Sequence, residues 1–417
     1  MVPTIQEPHV PAGGKRPLVY LIGTAGHPNY GDELITASWL RHLARVLPHA
    51  DVWLDTPRPG PTTVLMDGLH PRLRCVDTVF HACWNAPTSS PAEILAFGEA
   101  VISDPGLIPR EATGVQNLSR VDLVHVLGGG YINALWPRHL ALLGAARGIA
   151  ARHGARTALT GAGLYPLAEG SQQPLGEVLA DFDVVDVRDR ASLDAVQPLV
   201  PGATQSGDDA FLGLEDPVYR HSPARTMLCL QSDLLEIPLD DLADYVVRTL
   251  RSWQVDQQPV TLLEALPPGD AAVRELLDPH LPRLELLPFS ELWRHGLPSS
   301  RDHRWVSTRF HPHLMAAAVG AWGVAVPISP GFYANKLRSL TALGSGWDLA
   351  PDLGDPLPPR PSTSRPFNGQ LAALKAGKRA VATRVAELVA DLGQPPSPPA
   401  RVRPATPGRR PRRRPIA

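Results

Sequence analysis

Cysteine is scarce in this chain of 417 residues: Cys75, Cys83 and Cys229 are the three present, and none stands in Cys-x-x-Cys spacing. That excludes a disulfide framework and a structural zinc knot, and it suits a reducing compartment. Net charge is missing too, with 40 basic against 41 acidic residues. A chain without a basic excess is not built to hold nucleic acid. No apolar run is long enough to span a bilayer; the longest, 314–328, is short and contains Pro327. The opening residues carry no apolar signal core, so a cytoplasmic protein is expected, with at most peripheral contact at the inner face of the membrane. The one dense cluster of positive charge, Arg409-Arg-Pro-Arg-Arg-Arg-Pro415, reads as a solvated tail or as a weak attractor of anionic polymers or surfaces.

What is present is a repeated alternation. Short β-branched runs at Leu18–Ile22, 123–127, 157–160 and Val184–Val187 are each followed by a turn and then a helical pattern, the mark of parallel strands with crossover helices. The pattern restarts beyond the turn-rich 215–223, with strands at 226–230, Val260–Leu263, Leu284–Leu287, 305–307 and 324–328 and helices near 240–253, 271–277 and 311–321. The expected division is a disordered 1–16, a Rossmann-like domain at 17–215, a second at 224–350, a Pro-rich linker at 351–366, a helix at 367–392 and a disordered Arg/Pro-rich tail at 393–417. The predicted fold class is α/β: two Rossmann-like domains in a GT-B-like arrangement with an interdomain cleft. Ligands of open parallel sheets sit at the carboxyl ends of strands, so the strand-end residues are the candidates.

The stretch Gly23-Thr-Ala-Gly-His-Pro-Asn-Tyr-Gly-Asp-Glu-Leu-Ile35 joins the first strand to a long helix. Glycines let a backbone approach a ligand, yet two carboxylates would repel a bare phosphate, and neither the dinucleotide fingerprint nor the P-loop fits. Gly129 and Gly130, then Gly161 and Gly163, offer bare backbone at the next strand ends, and Tyr165 follows as a stacking or core-covering ring. Arg188 closes another strand. In the second half, Ser307-Thr-Arg-Phe-His-Pro-His313 places Arg309 and His311 where a strand ends and Pro312 opens a helix. Arg can grip a carboxylate or phosphate and His can deliver a proton near neutral pH. Spacing alone leaves open that Arg309 is an ion-pair partner and His311 a cap. Lys336 is a point charge before the next helix, solvated or facing a phosphate. Asp208 and Asp209 have the look of a cation pair but read better as turn caps, and no metal is assigned.

Taken in order, Asn29-Tyr-Gly-Asp32-Glu33, Gly128-Gly-Gly130, Gly161-Ala-Gly163, Val187-Arg188-Asp189, Gly207-Asp-Asp-Ala-Phe211, Ser307-x-Arg309-x-His311 and Lys336 resemble the polysaccharide pyruvyl transferase family over residues 18–345. The resemblance implies transfer of the pyruvyl group of phosphoenolpyruvate to sugar hydroxyls of a cell-surface or extracellular glycan precursor, leaving a pyruvate ketal. No cofactor is implied; phosphoenolpyruvate is a co-substrate. By motif the resemblance puts the donor on Arg188, Arg309 and His311, with His311 the catalytic acid and Lys336 a further cation for the donor. Asn29 and Asp32 are then placed to meet the hydroxyls of a lipid-linked or polymeric sugar acceptor, and Tyr165, which with Ala162 departs from the family pattern, is a further acceptor candidate as a stacking ring. Two other functions compete: a nucleotide-sugar glycosyltransferase of the same architecture, and a catalytically silent glycan-binding member.

Overall fold

A computed structural model describes residues 16–87, 90–215, 218–329, 332–354, 356–360 and 366–390. The disorder expected of the two termini, and the Arg-rich tail, therefore fall outside the described residues, Arg16 apart.

Two parallel sheets form the frame. The first contains β1 (Leu18–Ile22), β2 (Asp51–Asp55), β3 (Leu73–Val76), β4 (Leu123–Val126), β5 (Arg156–Ala162), β6 (Val184–Val187) and β7 (Thr204–Gln205), in the order β3-β2-β1-β4-β5-β6-β7. After the short β8 (Tyr219–His221), the second sheet takes β9 (Thr226–Cys229), β10 (Val260–Leu263), β11 (Leu284–Leu287), β13 (Arg304–Ser307), β14 (Trp322–Ala325) and β15 (Asp348–Leu349) in the order β11-β10-β9-β13-β14-β15. A small ribbon pairs β8 with β12 (Leu297–Ser299). Central strands such as Leu-Val-Tyr-Leu-Ile are buried along their whole length, as strands covered by helices on both faces must be. This is the GT-B-like arrangement of two Rossmann-like halves.

Strand order reverses once in each sheet, between β1 and β4 in the first and between β9 and β13 in the second. The turns leaving these four strands splay apart and open a crevice. The two crevices face one another. The halves are joined beneath them by one continuous apolar cluster that includes Leu34, Trp39 and Phe211 from the first half and Trp305, Leu314 and Met315 from the second. Backbone contact supports the join, with Tyr30 N–H donating to Ala265 O at 2.9 Å.

The helix Leu371–Ala390 returns to the first half, burying Ala382, Val385 and Val389 and driving Lys378 into the interior. The 351–366 stretch, expected as a linker, is pinned where it is described: Arg248 donates to Leu353 O and Trp253 Nε1 to Pro358 O, while Leu353 and Leu357 pack on the second core. The expected helix at 271–277 is instead two short turns, Gly269–Ala272 and Arg274–Leu277, and the strand expected at 324–328 runs as Trp322–Ala325. No helix among the described residues is long and apolar enough to cross a membrane.

Candidate functional site

The facing crevices enclose a cleft of about 600 Å³. Each switch-point turn contributes to it: Thr24, His27, Asn29 and Asp32 after β1, Gly130 and Tyr131 after β4, Gln231 and Asp233 after β9, and Arg309, Phe310 and His311 after β13. Lys336 reaches the same space from the helix Phe332–Ala342.

The helix Tyr30–Val46 begins at Asn29, whose side chain accepts the Gly31 N–H at 3.3 Å. Its two acids divide their duties. Glu33 turns inward, and its Oε1 accepts the Gly26 N–H at 2.7 Å, tying down the turn that precedes the helix. Burial pushes the Glu33 carboxyl up to about 8 against the pull of that N–H. Asp32 turns to the cleft. Burial raises its pKa too, and His311 and Lys336 work against the rise.

His311 stands where the two halves meet. Gly31 makes room for it: a Cβ there would lie 1.8 Å from His311 Nδ1. On its other side, His311 Nε2 is 3.3 Å from Asp208 Oδ1, in ion-pair range but not aligned as a hydrogen bond. Burial would raise the Asp208 carboxyl, but His311 and Arg188 outweigh it and hold it at about 2. Asp208 is thus a fixed anion beside the imidazole.

The cations expected to bind the donor part company. Arg309 Nε donates to Asp270 Oδ2 at 2.7 Å, its Nη2 donates to Asp270 Oδ1 and to Asp233 Oδ1, the latter at 2.8 Å, and Nη1 is what remains for a ligand. Burial depresses this guanidinium, yet the Asp270 carboxylate more than restores it. Arg188 is 2% exposed and lies with its guanidinium carbon 4.7 Å from the Phe310 ring centre, on the face of a second cavity rather than of the main cleft. Lys336 Nζ is 5.5 Å from the same ring and lines both spaces. Burial, with Arg188 beside it, pushes Lys336 down to about 8.

Other expectations move. Tyr165, proposed for the acceptor, is 41% exposed and belongs to the second cavity, because the chain turns away from the cleft after Gly163. Of the four glycines only Gly130 lines the cleft. Gly129 and Gly161 adopt φ of +139° and +53°, a steric requirement of the turn. The missing Cβ of Gly161 faces Asp209, and that of Gly163 would lie 2.1 Å from Arg188 Nη2. Asp208 caps its turn by accepting the Ala210 N–H, while Asp209 points into the interior. Among the described residues no group of three His, Cys, Asp or Glu gathers as metal ligands.

Sequence reasoning passed over the cleft's aromatic wall. Phe80 and Trp84, one turn apart on the helix Thr78–Trp84, stand with Tyr131, Trp136 and His139 across from His311 and Arg309. The Trp136 and His139 rings stack at 6.5 Å. The available signal was Phe80 and Trp84 four residues apart, on one face of a helix; in the fold Trp84 is left exposed, a large ring with a wet edge. Arg58 and His27 add two further cationic or proton-bearing groups.

The family model for polysaccharide pyruvyl transferase matches residues 29–330. No curated protein matches the chain. Among solved structures, a UDP-N-acetylglucosamine 2-epimerase shares 14% identity at a TM-score of 0.49, covering 90% of this chain and 91% of that one. The UDP-GlcNAc 2-epimerase of Neisseria meningitidis shares 11% at 0.48, covering 90% and 98%, and UGT2 of Phytolacca americana shares 11% at 0.48, covering 91% and 100%.

Proposed function

Since the chain belongs to the polysaccharide pyruvyl transferase family, we propose that it transfers the pyruvyl group of phosphoenolpyruvate to two hydroxyls of a sugar in a glycan precursor, closing a pyruvate ketal. The observation that carries this reading is the His311 imidazole set 3.3 Å from the buried Asp208 carboxylate at a cation-lined cleft.

The donor has a carboxylate and a phosphate on a three-carbon enol. Lys336 takes the phosphate, with Arg188 behind it on the second cavity, and Arg309 Nη1 takes the carboxylate with its guanidinium held in place by Asp270. His311, set beside Asp208, gives a proton to the methylene carbon, and electron demand falls on the adjacent carbon. A sugar hydroxyl adds there, and its proton passes to Asp32 or back to His311. The C–O bond to phosphate then breaks, and the second hydroxyl closes the ketal. One diol and one phosphoenolpyruvate give one ketal and one phosphate: of the two hydroxyl protons, one ends on the new methyl group and one leaves with phosphate. Asn29 and Asp32 hydrogen-bond acceptor hydroxyls, and Trp84 and Trp136 pack on the sugar face. Phosphoenolpyruvate is a cytoplasmic metabolite, so the reaction runs in the cytoplasm or at the inner face of the membrane, on a lipid-linked or polymeric acceptor.

The test is phosphate release from phosphoenolpyruvate across a panel of glycan acceptors, with mass analysis of the product. The expected result is one phosphate for each ketal gained. Transfer of a hexose from a nucleotide sugar, with no reaction of phosphoenolpyruvate, overturns the proposal.

A further inference from the structure

Behind Lys336, away from the acceptor wall, lies a second cavity of about 370 Å³. Its lining is strongly one-sided: Arg188, Arg190, Lys336 and Arg338 face a single carboxylate, Asp189, with Gln205 and Asn335 adding polar groups. Asp189 is already committed, since it accepts the Ser192 N–H at 2.9 Å as the cap of the helix Arg190–Val196 and lies 3.4 Å from Arg188 Nε.

The deepest cation, Arg188, is almost wholly buried, and its Nη1 has no hydrogen-bond partner among the described residues. The nearest carboxylate to Nη1 is Asp208 at 3.8 Å, too far for a hydrogen bond. The guanidinium is locked by the Phe310 ring on one side and by the bare backbone of Gly163 on another. A buried N–H left unpaired is costly unless something fills it, and a small tetrahedral anion rich in acceptor oxygens suits this arrangement. Nearer the mouth, Arg190 and Arg338 make exposed contacts, to Asp194 at 2.7 Å and to Asn335 at 3.3 Å.

We propose that this cavity binds inorganic phosphate, receiving the ion released in the cleft and letting it leave on the side opposite the glycan. The proposal rests on the donor chemistry above. Lys336 lines both spaces and is the point of transfer. Leaving by this route spares the ion a path past the bound acceptor.

The experiment titrates inorganic phosphate by calorimetry into the full chain saturated with phosphoenolpyruvate, so that the cleft is occupied. Wild type, Arg190→Gln, Arg338→Gln and the double variant are compared, with melting temperature as the control for folding. Phosphate is expected to bind wild type, and the double variant to bind it about 10-fold or more weakly, since two charge-assisted contacts are lost, with phosphoenolpyruvate affinity unchanged. Three results overturn the proposal: no phosphate binding once phosphoenolpyruvate is bound, equal affinity in the double variant, or displacement of phosphate by glucose 1-phosphate, which would make the cavity a seat for a phosphate ester of the acceptor. A chain that takes phosphate at the variant-sensitive site yet has no affinity for phosphoenolpyruvate sinks the donor assignment instead and leaves the cavity standing.

Discussion

Asp208 and Asp209 are adjacent and both buried, yet they belong to opposite kinds of network. Asp209 Oδ2 accepts from Trp39 Nε1 at 2.7 Å, from Thr160 Oγ1 at 2.7 Å and from Gly128 N–H at 3.0 Å, while its Oδ1 accepts from Lys378 Nζ at 2.9 Å. Lys378 also reaches Asp186 at 2.7 Å, and Asp186 in turn holds Ser206 and the Gly161 N–H. Asp208 is different. Its Oδ2, Arg188 Nη1 and His311 Nε2 are three buried polar atoms gathered in one place without a hydrogen-bond partner among the described residues. A satisfied network fixes a shape, whereas one with bonds in reserve is poised to hold a ligand or move a proton. The same division recurs at the first helix, where Glu33 ties down a turn and Asp32 faces the cleft.

The strongest way to break this comparison is Lys378→Met. It leaves Asp186 and Asp209 buried without their cation, and a loss of about 3–5 kcal/mol in chemical denaturation is expected. A loss near zero would mean that the Asp209 network is not a charged one. Gly31→Ala attacks the other side, since the new Cβ must push His311 away from Asp208. Turnover should fall on the order of 10²-fold, as a displacement of about 1 Å can cause, while the melting temperature moves little; unchanged turnover would show that the position of His311 does not matter.

Arg309→Lys comes next. Lysine cannot bridge Asp270 and still present a nitrogen to the cleft, so phosphoenolpyruvate should bind about 10-fold more weakly in calorimetry. The smallest effect sharpens the Asp32 and Glu33 contrast. With the folded Glu33 pKa near 8 and the unfolded one near 4.5, the unfolded chain releases this proton first, so the native state loses stability as pH rises between those values. Glu33→Gln cannot ionise and should be free of that slope, retaining about 1 kcal/mol that wild type loses between pH 6 and 7 in denaturation midpoints. Parallel curves for the two proteins would show that Glu33 is charged throughout.

Much of the frame was legible because buried parallel strands are written as unbroken apolar runs. Of the strands that escaped notice, which also include the short β7, β8, β12 and β15, Asp-Val-Trp-Leu-Asp at β2 and Leu-Arg-Cys-Val at β3 lie toward one edge of the first sheet and carry charges. Their sequences do not differ from those of loops by period alone. At the site, strand ends identified His311, Asp32 and Lys336, which the cleft does bring together. Partners distant in sequence could not be read. Nothing near Arg309 announces that Asp270, 39 residues earlier, holds its fork, and nothing near Asp209 announces Lys378, 169 residues later. Tyr165 misled because its place after a glycine turn says where the backbone bends but not which side of Arg188 the ring takes.

The central claim is that Asp208 and His311 form the proton-handling pair. It is tested most directly by His311→Gln, with melting temperature, phosphoenolpyruvate affinity and phosphate release measured on one preparation. Glutamine can keep a hydrogen bond but cannot deliver a proton, so fold and donor binding should persist while turnover drops roughly 10²- to 10⁴-fold. Near-normal turnover for each folded molecule would contradict the account and leave His311 a structural residue.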